Sequence, residues 1–79
     1  MNGMKVLLVE SDESQWSTIG KVFLEKGHHF SAVGDGMSAY KKILNDSFDL
    51  IIAERRLPRI DGLDLLKRIK QVNAALPVI

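Results

Sequence analysis

Glu54 ends a run from Phe48 to Ala53 that is apolar apart from Asp49, and it is followed by Arg55, Arg56, Leu57, Pro58, Arg59, Ile60, Asp61 and Gly62. A carboxylate at the carboxyl end of a strand in an α/β sheet stands where such folds place their chemistry. The acids that share its surroundings decide what that chemistry is, and Glu10, Ser11 and Asp12 close another apolar run earlier in the chain. Other chemical signals are weaker. Asp61-Gly62 reads as a helix start after a Pro turn. The Gly34-Asp35-Gly36 segment has no basic residue and lacks the spacing of a phosphate loop, so it reads as a turn. His28 and His29 have no acid or cysteine at ligand spacing.

The elements that would position these acids follow from apolar periodicity. Met4 to Val9 is apolar apart from Lys5, as in a strand buried on both faces. Trp16, Ile19, Phe23 and Leu24 recur at helical spacing between Glu13 and Lys26; Asp12 caps with Gln15, and Gly27 ends the helix. A second strand is predicted over His29 to Val33, and a second helix carries Ala39, Tyr40, Ile43 and Leu44. Phe48 to Ala53 is the third strand. Asp61 and Asp64 suggest a capping box for a helix through Leu65, Leu66, Ile69 and Val72, and a fourth strand begins in Leu76 to Ile79. The order βαβαβαβ means parallel strands joined by right-handed crossovers.

The chain has 79 residues, 11 basic against 10 acidic, and no cysteine. It makes one small domain, residues 1–79, with no field that selects nucleic acid or a membrane surface. Cysteine chemistry and disulfides are excluded, and no apolar run could span a bilayer. A cytoplasmic setting is the expectation. Trp16 reads as packing, and Lys67, Arg68 and Lys70 as a solvated helix face.

The segments 5–12, 27–30, 34–36, 48–54, 57–63 and 76–79, taken in order and spacing, resemble the receiver domain of two-component response regulators. The Leu57-Pro58 to Asp61-Gly62 block after an acid-terminated strand is the most specific part. The resemblance implies a flavodoxin-like (CheY-like) doubly wound parallel sheet of which this chain holds four of five strands. The family's Ser or Thr after the fourth strand, its Lys after the fifth and its last two helices have no counterpart in these residues. A partial receiver is therefore expected, either part of a longer regulator or a chain that completes its sheet with a partner through the open edge of the fourth strand.

Receivers take a phosphoryl group from a phosphohistidine onto an Asp, beside Mg²⁺ held by that Asp, an acidic pair and a backbone carbonyl. By resemblance these positions are Glu54, the pair Glu10 and Ser11, and the carbonyl of Arg56. Two of them depart from the pattern. Glu54 carries its carboxylate one methylene farther out, and an error near 1 Å can cost on the order of 10²-fold in a positioned reaction. Ser11 replaces a charge with a hydroxyl, which weakens a Mg²⁺ site, and Asp12 compensates only if the backbone has already turned. The expectation is a receiver-like, non-enzymatic signalling domain with weak or no Mg²⁺ binding. Its partner would be a sensor histidine kinase or another signalling protein, and DNA would be reached only through an output domain outside this chain. Glu54 would then imitate the charged, switched-on state, or be inert and paired with Arg55, Arg56 or Arg59. The alternative is a working Mg²⁺-dependent phosphoacceptor.

Overall fold

The computed structural model describes residues 3–54, 62–73 and 75–79. Three strands, β1 (Lys5–Val9), β2 (His29–Val33) and β3 (Leu50–Ala53), alternate with three helices, α1 (Ser14–Glu25), α2 (Gly36–Asn45) and α3 (Gly62–Val72). The strands are parallel in the order β2-β1-β3, which makes β1, the most buried strand, the central one. Its position follows from its composition: Val6, Leu7, Leu8 and Val9 are all buried, as a strand covered on both faces requires.

The two faces are built differently. Leu7, Val9 and Ile51 point toward α2 and α3, where they join Ala39, Ile43, Phe48, Leu65, Ile69 and Leu76 in one buried cluster. Leu65 and Ile69 are four residues apart and both fully buried, so a single stripe of α3 seats it on the sheet. On the opposite face α1 lies over β2. Phe30 stacks on Phe23 with ring centroids 5.9 Å apart, and Gly20 allows the helix down, since a Cβ there would lie 2.7 Å from Phe30 Cε2.

Both ends of α1 and the start of α2 are fixed by local hydrogen bonds. Gly27 takes φ 82°, and the N–H groups of Gly27 and His28 return to the carbonyls of Leu24 and Phe23, the pattern of a glycine-terminated helix. Asp12 engages Gln15 through side chains, not by taking the Gln15 backbone N–H on its carboxylate. Its Oδ1 accepts the N–H of Ser14 at 3.0 Å, while the Gln15 N–H goes to the Asp12 backbone carbonyl. Asp35, read only as part of a turn, is the N-cap of α2 and accepts the Ser38 N–H at 2.8 Å. The capping box with Asp61 falls outside the described residues.

Among the described residues the fourth strand is present as its first pairing to β3. Val78 forms a parallel bridge to Ile51, and the Ile51 and Ala53 N–H groups donate to Pro77 and Ile79 at 3.0 and 2.9 Å. It lies beside β3, so the order extends to that of a flavodoxin-like sheet. Of the basic residues of α3, Lys67 and Arg68 are exposed as a solvated face requires, Arg68 lying 5.6 Å from the centre of the Tyr40 ring, while Lys70 is half-buried and its Nζ donates to the Leu76 carbonyl. Among the described residues no helix is long and apolar enough to cross a membrane.

Candidate functional site

Parallel pairing brings the two acids together. Val9 pairs with Ala53, so the next residues, Glu10 and Glu54, leave neighbouring strands at the same carboxyl-terminal edge. The ladder continues one step beyond both strands, with the Glu54 N–H on the Val9 carbonyl at 3.1 Å and the Glu10 N–H on the Val33 carbonyl at 3.0 Å. The edge where an α/β sheet keeps its chemistry therefore carries the acids that the sequence singled out.

Each acid is occupied by the turn after β1. Glu54 Oε1 accepts the Ser11 N–H at 2.7 Å, Glu10 Oε2 accepts the Asp12 N–H at 3.1 Å, and Asp12 Oδ1 accepts the Ser14 hydroxyl at 2.6 Å as well as its N–H. Trp16 adds a fourth tie, its indole Nε1–H donating to the Glu10 carbonyl at 2.8 Å. From the sequence Trp16 reads as packing, with a partner anchor as the lesser alternative; an indole N–H at a half-buried position needs an acceptor, and the end of β1 supplies it. His28 also has a structural use, its Nδ1 accepting the Met4 N–H at 2.9 Å.

These bonds set the ionisation. Glu54 is held below the usual carboxylate range, first by the Ser11 side chain, then, against the opposing effect of burial, by the Ser11 N–H and Glu10; the Asp12 charge pushes it up. The Asp12 N–H on Glu10 Oε2 and the Gln15 N–H on the Asp12 carbonyl show that the backbone has turned after Glu10. The Asp12 carboxyl is likewise held low, first by the Ser14 hydroxyl and then by its N–H. Folded-state values below the unfolded ones mean that this stabilisation is complete above the ordinary carboxylate range and is lost as pH falls through the folded values. The urea midpoint is thus expected to fall on acidification below that range. Glu54→Gln, which cannot ionise, should give a flatter acid limb, and an unchanged limb would remove Glu54 from this account.

The residues at the positions that hold Mg²⁺ in receivers differ in what they offer a cation. The ion takes near-octahedral oxygen ligands at about 2.0–2.1 Å. Here one oxygen each of Glu54 and Glu10 is turned onto a backbone N–H, Ser11 offers no charge, and Asp12 is committed to the start of α1. Among the described residues no group of three acidic, histidine or cysteine side chains is placed to hold a metal ion. The carbonyl of Arg56 and the partnership of Glu54 with Arg55, Arg56 or Arg59 lie outside the described residues.

Known proteins place this arrangement in a family. The model of the response regulator receiver domain matches residues 6–79. The gliding motility regulatory protein of Myxococcus xanthus is 35% identical over 78 residues, covering 96% of this chain and 10% of that protein. An uncharacterized transcriptional regulatory protein of Bacillus subtilis, YclJ, is 29% identical over 76 residues, 33% of its length. This chain therefore spans a third or less of these two relatives. Among solved structures, the receiver domain of Francisella response regulator 1452 superposes with a TM-score of 0.89 at 30% identity, covering 96% of this chain and 63% of that one. The receiver domain of the sensor histidine kinase PA1611 from Pseudomonas aeruginosa, solved with magnesium coordinated in its active site cleft, gives 0.89 at 26%, with 96% and 64% covered. With a family model spanning nearly every residue and a sheet that superposes on solved receivers, this chain belongs to the response regulator receiver domain family.

Proposed function

We propose that residues 1–79 form part of a receiver that regulates through its conformation and contacts rather than by taking a phosphoryl group at position 54. The observation that carries this reading is the bond from the Ser11 N–H to Glu54 Oε1, which occupies the side chain standing at the acceptor position. Receiver domains are signalling units rather than catalysts, and relatives named as transcriptional regulators support an output of that kind. A sensor histidine kinase or another signalling protein is the partner this reading implies, with DNA contacted only by an output domain. Mg²⁺ binds weakly if at all.

Phosphoryl transfer depends on positioning and on neutralising charge. An acceptor one methylene out of place, beside a Ser where a second carboxylate is needed, meets neither demand. Incubation with Mg²⁺ and acetyl phosphate followed by intact mass measurement should leave the mass unchanged. A stoichiometric gain of one phosphoryl group, absent in Glu54→Ala, would establish the working phosphoacceptor instead. Self-association of the receiver through a sheet edge is part of the same proposal. Sedimentation velocity should show a concentration-dependent dimer, and a monomer at every concentration removes that element.

A further inference from the structure

Resting on that reading, we infer that Glu54 is a positioning residue, an internal strut that takes over from a bound ion the task of fixing the turn between β1 and α1. The turn is held from three directions. Glu54 reaches across from β3 to the Ser11 N–H, a contact between residues 43 apart in sequence. Glu10 folds back onto the Asp12 N–H, and Trp16 anchors the Glu10 carbonyl from α1.

Length, more than charge, makes the strut. Glu10 and Glu54 leave adjacent strands side by side, and Ser11 is one residue farther along. The extra methylene that misplaces Glu54 as an acceptor is what lets its oxygen come within 2.7 Å of the next amide. A backbone N–H pointing at a site of developing negative charge would otherwise be available to an incoming anion. Here it is already satisfied by the chain, which leaves the edge without that donor. The substitution at position 54 and the loss of the second carboxylate at Ser11 are then compatible changes: with the strut in place, no ion is needed to draw the turn toward β3.

Amide hydrogen exchange at Ser11 and Asp12 tests this, with folding of each variant checked by circular dichroism. A hydrogen bond to a carboxylate slows exchange, and its removal in Glu54→Ala should speed the Ser11 amide by about tenfold. Glu54→Gln keeps both reach and an acceptor oxygen, so Ser11 should stay within about threefold of the parent, whereas Glu54→Asp keeps the charge but not the reach and should behave like Ala. The emission of Trp16, the one tryptophan of the chain, should shift in the Ala and Asp variants and not in Gln. Equal Ser11 exchange in all four proteins overturns the strut, as does protection that follows charge, with Asp like the parent and Gln like Ala. The strut can fail in this way while the acetyl phosphate experiment still shows no transfer, so the two ideas are separable.

Discussion

Ile51→Ala is expected to cost about 2–5 kcal/mol, the range for removing a large aliphatic side chain from a packed core. Ile51 is fully buried and stands where three parts of the fold meet: it pairs with Leu7 of β1, bridges to Val78 and packs into the cluster containing Leu65, Ile69 and Leu76. Stability of roughly 0.05–0.15 kcal/mol per residue gives a chain of this length only about 4–12 kcal/mol to lose. The variant should therefore unfold at a much lower urea concentration or be partly unfolded without denaturant. Ile52→Ala is the control. Ile52 pairs with Leu8 on the other face, where it is only half-buried, and its loss should cost under about 2 kcal/mol. Equal losses for the two variants would mean that the α2–α3 face is not the principal core.

The second large effect concerns charge. In the parent chain Ser11 is neutral and Glu54 is tied to the Ser11 amide. The double variant Ser11→Asp with Glu54→Asp shortens one acid, releases that amide and adds a carboxylate. In water a unit charge about 4 Å from another is worth about 1 kcal/mol, so a divalent ion gains about 2 kcal/mol from the added carboxylate, roughly thirtyfold in affinity. The emission of Trp16, tied to the Glu10 carbonyl, gives a local readout of Mg²⁺ binding. A saturable Mg²⁺ response is expected in the double variant, and its failure to appear would place the obstacle elsewhere than at positions 11 and 54.

The architecture was readable in the sequence because each of its determinants is local. The continuous apolar run of β1, the stripe of Leu65 and Ile69 in α3 and the stop at Gly27 depend on neighbours within a few residues. The positions Glu10, Ser11 and Glu54 were readable because they end such runs and match a family pattern. What escaped sequence reading depends on register and side-chain direction. The bond from Ser11 to Glu54 requires Val9 and Ala53 to be paired, and the tie from Trp16 to Glu10 requires α1 to return over the sheet at one particular angle. Asp35 was missed because its cap partner is Ser38, while an acid or amide at that position is the familiar signal. The Asp12 cap was assigned to Gln15 for the converse reason: a plausible cap pattern lay beside a tighter turn onto Ser14.

On the proposed reading the acidic edge of this receiver is closed by its own side chains, with Glu54 in the place of an acceptor. Amide spectra of the ¹⁵N-labelled parent chain, recorded as Mg²⁺ is raised into the millimolar range, test it most directly. The resonances of Ser11, Asp12 and Glu54 should stay where they are apart from the small uniform drift of ionic strength. Saturable shifts confined to those three residues would contradict the claim.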